Sequence, residues 1–343
     1  MLLLNTLYVD DHRVRVGVRG RALELRAGKT LRGRYPLAEL EAVVLTGMAT
    51  MTTDAIGRCV SAGIRVAAIR RSGAVRFTVG GPVRGNVLLR LHQVRLADHP
   101  DRSLATARNI VMAKLQNQRR MIRRWEAAAR SRTDRAFLEE QRRIVQERIG
   151  AAQRARDGNS LRGLEGDGAR RYFKALRNHL AAVAPEMPFG ERSRRPPRDP
   201  VNALLSFVSA IMTTNCVGAL DAVGLDPQIG FFHELRPGRP ALALDLLEEF
   251  RAPLIDRVCV RMLGRRQLRQ GHFHRVAGGA WYLTDEGRHR AMTELEKFKS
   301  EPVEHRLLRR EVPQALLPVI QATLLARYVR QDLAEYPPFV GGD

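Results

Sequence analysis

The hydrophobic period of the chain changes once, and that change constrains its architecture more than any other feature. Residues 2–9, 13–18, 22–25, 40–45, 64–69 and 74–79 run with period two, and Gly20, Gly28, Gly47, Gly63 and Gly73 punctuate them. Alternation broken by glycine predicts short strands joined by turns, hence a small sandwich or roll. One helix interrupts the strands, starting at Thr52 or Thr53, whose hydroxyls suit an N-cap, and stopping at Gly63. A connecting stretch, 81–100, follows. Beyond it Leu104, Ala107, Val111, Leu115, Ile122 and Trp125 fall on one helical stripe, and the remainder is mostly helical. The expected fold is α+β: a small N-terminal β-sandwich or roll over residues 1–90, then a larger, mostly α-helical domain over 91–343.

With 343 residues, 44% of them hydrophobic, the chain can bury a core in each domain, which excludes disordered and fibrous classes. The formal net charge of +22 points to a polyanionic partner, because Lys and Arg replace the counterions condensed on nucleic-acid phosphates. Only five of the basic residues are lysines: Lys29, Lys114, Lys174, Lys297 and Lys299. Between residues 102 and 156 there are 15 basic and 5 acidic side chains, which fits either a solvated helical face or one turned to DNA. Cys59, Cys216 and Cys259 form no CxxC pair and are odd in number, so neither a disulfide framework nor a thiolate zinc site is expected, and a reducing cytoplasm fits best. The start, MLLLNTLYVDD, lacks the charged region and small-residue cleavage site of an export signal.

Residues 201–220 are uncharged and long enough to span a bilayer, but Asn202, Ser206, Ser209, Thr213, Thr214 and Asn215 favour a buried helix, started by Asp199-Pro200. Residues 273–283, with Gly278-Gly279 in the middle, read as a hairpin, and Thr284 caps a further helix. The order of residues 335–343 stays open, with Pro337-Pro338 and Gly341-Gly342 suggesting a loose tail that could contact a partner.

Three clusters carry chemistry. Glu165 lies within LEGDGARRYF, at helical spacing from Ala169 and Tyr172, so it faces the packed side, where a carboxylate needs a partner or a metal; a Glu favoured by a helix N-terminus is the ordinary alternative. His233 follows two phenylalanines in GFFH, as a satisfied core histidine also would. Asp245 and Glu248 are three apart on one helical face, beside Leu244, Leu247 and Arg251; exposed helix carboxylates would look the same. Together Glu165, His233 and Glu248 form an oxygen, nitrogen, oxygen set suited to Mg²⁺ or Mn²⁺, and the basic surroundings direct that metal to phosphodiester chemistry.

In NTLYV (5–9), GNVLLRLHQVRLAD (85–98), IVMAKLQNQR (110–119), LEGDGARRYF (164–173), RRPPRDPVNALLSF (194–207), GFFHELRPGRPALALDLLEEFR (230–251) and YLTDEGR (282–288), the chain resembles the CRISPR-associated adaptation integrase family, metal-dependent endonucleases that insert new spacers into CRISPR arrays. The resemblance covers essentially the whole chain in the family's order, and NTLYV looks like the lineage accompanying type I systems. It implies an N-terminal β domain that builds a homodimer and a C-terminal catalytic domain whose metal ligands are Glu165, His233 and Glu248, with Asp245 as a supporting carboxylate. It also implies a small partner protein, as a dimer bridging two dimers of the chain, and double-stranded and branched DNA substrates: the prespacer and the CRISPR repeat. Lys114, Arg119, Arg194, Arg195, Arg236, Arg239 and Arg251 flank the motifs and are candidate phosphate contacts, Arg251 doubling as a salt-bridge partner of Glu248 or Asp245. Tyr172 is either a stacking platform for a splayed base or a core residue. Phe232 stands where the family usually has Leu, and the arginine content is unusually high. The competing expectations are a non-enzymatic DNA-binding scaffold and a stand-alone branched-DNA nuclease.

Overall fold

A computed structural model describes residues 2–342 apart from 4, 5, 10, 12, 41, 47, 70–74 and 81–86. The period-two region forms β1 (Leu2–Leu3), β2 (Thr6–Val9), β3 (Val14–Arg19), β4 (Ala22–Ala27), β5 (Thr30–Pro36), β6 (Ala42–Thr46), β7 (Thr50–Met51), α1 (Thr53–Ser61), β8 (Arg65–Ile69) and β9 (Val75–Val79). These strands make two sheets, ordered β1-β2-β6-β8-β9 and β5-β4-β3-β7. The β2/β6, β6/β8 and β3/β7 pairs are parallel and the others antiparallel. Leu7, Val9, Val43 and Val66 of one sheet share a core with Val14, Val16, Leu23 and Leu25 of the other and with Ala55 and Cys59 of α1. Thr52 caps α1 by accepting from the Ala55 amide at 3.2 Å, and Gly63 follows the helix at φ 75°. The charged β5 has no apolar alternation to betray it, because Leu31, Arg32 and Lys29 lie exposed along the sheet's edge.

The connecting stretch is a helix over much of its length: α2 spans Val87–Asp98, so the expected boundary at residue 90 falls inside it. Leu89, Gln93 and Leu96 are buried while Val87, Leu91 and Val94 are exposed, and apolar residues on opposite sides erase the helical period. The helical domain continues through α3 (Pro100–Ala128), α4 (Arg132–Gln153), α5 (Gly158–Val183), α6 (Pro200–Val223), α7 (Ala241–Glu248), a π-helical segment (Arg251–Asp256) and α8 (Arg257–Gly264). The hairpin β10 (Phe273–Arg275) and β11 (Trp281–Leu283), α9 (Asp285–Ser300), the hairpin β12 (Pro302–His305) and β13 (Arg310–Pro313), and α10 (Leu317–Val329) complete it. Ser131, Asp157, Asp199 and Thr284 each cap a helix through the side chain, as their positions before apolar periods require. The long apolar α6 is a core helix packed against α7 and α10, and it ends at Gly224 in the left-handed region. Cys59, Cys216 and Cys259 are buried and free. Arg65 of β8 joins the domains, donating to the Asp221 carboxylate at 2.9 Å and the Gly218 carbonyl at 3.1 Å at the end of α6.

The tail is not loose. Tyr336 and Phe339 are buried, and Asn117 of α3 donates to the Phe339 and Glu249 carbonyls at 2.9 Å each and accepts from the Gly341 amide at 3.0 Å. The Glu249 carboxyl accepts from the Phe339 amide at 2.6 Å, Gln321 Nε2 at 2.8 Å and the Tyr336 hydroxyl at 2.5 Å. The prolines and glycines set the turns of this segment, but two aromatic anchors and a buried polar network fix it.

Burial lifts Glu249 to about 7, against the Phe339, Tyr336 and Gln321 hydrogen bonds that favour its anion. Between its ordinary 4.5 and about 7 the folded chain therefore holds a proton that the unfolded chain releases, and this group's contribution falls as pH rises through that window. His179, which burial lowers to about 4, tilts the total the other way, so the observable is a difference. Denaturation midpoints of wild type and Glu249→Gln, compared across this range, are expected to converge toward high pH or cross; parallel curves would contradict the assignment.

Candidate active site

Small residues let three distant segments converge. A Cβ on Gly168 would overlap Leu115, so this glycine allows α5 to lie against α3 and brings Glu165 to Lys114, beside Leu115. A Cβ on Gly230 would stand 2.7 Å from Asp245 Oδ2 and 2.8 Å from the Ala241 carbonyl carbon, so the loop before His233 can lie directly on α7. Gln93 of α2 ties the same loop down, donating to the Asp226 and Ile229 carbonyls at 2.8 Å each and accepting from the Asp226 amide at 2.9 Å.

Asp245, fully buried, accepts through Oδ2 from the Phe231 amide at 2.6 Å and the Phe232 amide at 3.0 Å, and through Oδ1 from the His233 amide at 2.9 Å. The same Oδ1 lies 2.7 Å from His233 Nδ1. A carboxylate at Nδ1 selects the tautomer with its proton there and leaves the Nε2 lone pair free toward Glu248, whose Oε1 is 3.8 Å away. Phe232 packs edge-on against the imidazole.

Glu248 ends α7 with its carboxylate enclosed. Oε1 pairs with Arg251 Nε at 2.9 Å, and Oε2 lies 2.7 Å from Lys114 Nζ. Burial alone would raise its pKa, but Arg251, Lys114 and His233 together hold it well below the ordinary carboxylate range. Lys114 Nζ also hydrogen-bonds Glu165 Oε1, so one ammonium bridges two carboxylates contributed by α5 and α7. Burial lifts Asp256, in the π-helical segment, to about 6 within the field of Arg192, Arg251 and Lys114.

Among the described residues no three His, Cys, Asp or Glu side chains stand at metal-ligand spacing, and the Lys114 ammonium lies between two of the candidates, Glu165 and Glu248. The donor set nevertheless fits a hard divalent cation: two carboxylates already drawn to one positive charge, and an imidazole nitrogen aimed by a carboxylate behind it.

A family model described as CRISPR associated protein Cas1 matches residues 7–297. The chain belongs to the Cas1 family. It is 40% identical over 339 residues to the CRISPR-associated endonuclease Cas1 1 of Moorella thermoacetica, spanning 99% of each chain. Two solved structures share the fold at lower identity. A casposase bound to integration product superposes with TM-score 0.85 at 18% identity, covering 98% of this chain and 94% of that one. A chain of a Cas6-RT-Cas1–Cas2 complex does so with TM-score 0.83 at 22% identity, covering 98% of this chain, which spans only 36% of its length.

In this Cas1 chain Glu165, His233, Asp245, Glu248, Lys114 and Arg251 form one contiguous cluster. Arg194 is exposed beside it; the neighbouring Arg251 guanidinium, ahead of burial, holds its pKa below the usual arginine value. Two sequence expectations change. Lys114 is no surface phosphate contact, being 4% exposed and paired with both carboxylates. Tyr172 is no open stacking platform, because its ring is buried against Trp125, with centroids 5.4 Å apart, and edge-on to Phe173. The other arginines lie outside the cluster: Arg119 is half-buried and bonded to Gln146, Arg236 pairs with Glu234 at 2.6 Å, Arg195 is exposed and Arg239 half-buried.

Sequence reasoning missed Gln93 as the anchor of the His233 loop, and Arg192, which donates to the Asn202 side chain and the Ser193 carbonyl. A signal for Lys114 was present, since it follows Val111 by three residues on the apolar stripe of α3, where a cation requires an anion.

Proposed function

We propose that this chain is a metal-dependent DNA endonuclease and integrase of CRISPR adaptation, joining captured DNA to the CRISPR repeat. The observation that carries this reading is a pair of carboxylates, the buried Glu248 and the partly exposed Glu165, turned onto one cation beside a histidine aimed by Asp245. Its family membership, the endonuclease name of its relative and the likeness to a casposase bound to integration product support it. The net charge of +22 suits double-stranded and branched DNA, and the Cas2 named with one structural neighbour supports a small partner protein. The β domain is proposed as the homodimer interface, with a partner dimer bridging two such dimers.

Glu165, Glu248 and His233 Nε2 would hold Mg²⁺ or Mn²⁺, which supplies polarisation of the scissile phosphate and charge relief at the departing oxygen. Asp245, 2.7 Å from Nδ1, orients the His233 ring so that Nε2 points toward Glu248. Arg251 fixes Glu248, and Arg194 offers positive charge at the rim for a phosphate oxygen. In the joining step a DNA 3′-hydroxyl attacks the repeat phosphorus, the bond to the departing 3′-oxygen breaks, and the proton lost by the nucleophile ends on that oxygen. No bond to the protein forms.

The test is strand joining between labelled prespacer DNA and a repeat-containing plasmid, with the partner protein, in Mn²⁺, Mg²⁺ or EDTA. A branched joined product with either metal and none in EDTA is expected. Free ends without a junction would replace the integrase by a branched-DNA nuclease; metal-independent binding alone would leave a scaffold.

A further inference from the structure

Lys114 is a buried lysine, 4% exposed. Its ammonium stands between the partly exposed Glu165 and the buried Glu248, the two carboxylates proposed to hold a divalent ion. A unit charge at hydrogen-bond distance from two carboxylates in a poorly solvated site interacts with them strongly. A divalent ion bound by the same oxygens meets that charge at close range, so both cations cannot occupy the space between the carboxylates without severe repulsion.

We propose that Lys114 is a resident counter-cation that keeps the carboxylate pair folded and charge-balanced without metal, and that a divalent ion enters by displacing its ammonium from between them. The inference rests on the metal-dependent reading given above. The exchange moves a positive charge and breaks no covalent bond. Its consequence is that Lys114 sets the metal affinity: the ion must outcompete an internal cation, and carboxylates left bare by its removal would bind the ion more tightly.

The experiment is titration of the full chain with Mn²⁺ alone, by calorimetry and by the paramagnetic signal of free Mn²⁺, for wild type, Lys114→Met, Lys114→Gln and Glu165→Ala. Circular dichroism and the metal-free melting temperature accompany each titration. Lys114→Met and Lys114→Gln are expected to bind Mn²⁺ at least about tenfold more tightly than wild type, while melting lower without metal and gaining more from it. A merely structural lysine would not raise the affinity, so folded variants that bind equally or more weakly overturn the proposal. Lys114→Gln keeps hydrogen-bonding capacity toward both carboxylates and serves if Lys114→Met does not fold. If wild type shows no Mn²⁺ binding that Glu165→Ala removes, the metal-site reading itself fails, a result distinct from an unchanged affinity in the lysine variants.

Discussion

Alanine at Glu165 or at His233 is expected to lower metal-dependent strand joining by about a thousandfold or more, because removing one member of a catalytic unit disables the whole. The same substitutions should leave gel-shift affinity for the DNA nearly unchanged, since that affinity comes from many dispersed basic side chains and not from this cluster. The two variants differ in their effect on the fold. Glu165→Ala leaves Lys114 with Glu248 as its remaining carboxylate partner, whereas His233→Ala vacates the Asp245 Oδ1 position that Nδ1 occupies. Folding is therefore checked for each by circular dichroism. Joining that persists at wild-type rate in both would remove the cluster from catalysis and favour the scaffold.

Asp245→Asn is expected to combine a catalytic with a structural loss. The native carboxylate accepts from three consecutive backbone amides and meets the His233 ring, using both oxygens. Asparagine offers one oxygen, so its amide group must face either the Phe231 and Phe232 amides or the His233 side, donor against donor. Buried donors left without acceptors cost about 1–3 kcal/mol each, giving an expected stability loss of about 3 kcal/mol in denaturant titrations. Joining should fall about a hundredfold further than the folded fraction does, because a second carboxylate that orients a metal-bound histidine controls affinity and activity on that scale. Raising Mn²⁺ should recover part of the loss; full recovery would mean that Asp245 acts on metal affinity alone.

How far the sequence foretold this molecule depends on what kind of signal each part leaves. The switch from period two to period 3.6 marked the division into strands and helices, and Asp199-Pro200 and Thr284 marked helix starts, because capping chemistry is local. Glu165, Asp245 and Glu248 could be grouped since each sits at helical spacing beside apolar neighbours, where a carboxylate demands a partner. Lys114 was misread because charge alone speaks for solvent, and only its phase on the α3 stripe speaks for burial. The order of residues 335–342 stayed open for the converse reason: the prolines and glycines describe turns, while the buried acceptors that hold the segment, Asn117 and Glu249, come from distant parts of the chain. Gln93 left no local trace, since its three bonds reach the Asp226–Ile229 loop more than 130 residues away.

The anchoring of that final segment gives the molecule a built-in order of assembly. Glu249 follows directly on Glu248, yet its carboxyl is satisfied by Tyr336 and Phe339, 87 and 90 residues further along. A chain emerging from the ribosome carries Glu165, His233 and Glu248 well before it carries Tyr336, Phe339 and Gly341, which bond Glu249 and Asn117. Until those arrive, Glu249 is an unsatisfied acid next to the site and Asn117 lacks two of its three partners. The contacts that hold the α7 terminus therefore form only once residues 336–341 are present, so a fragment that stops before them carries Glu165, His233 and Glu248 without the groups that satisfy Glu249 and Asn117.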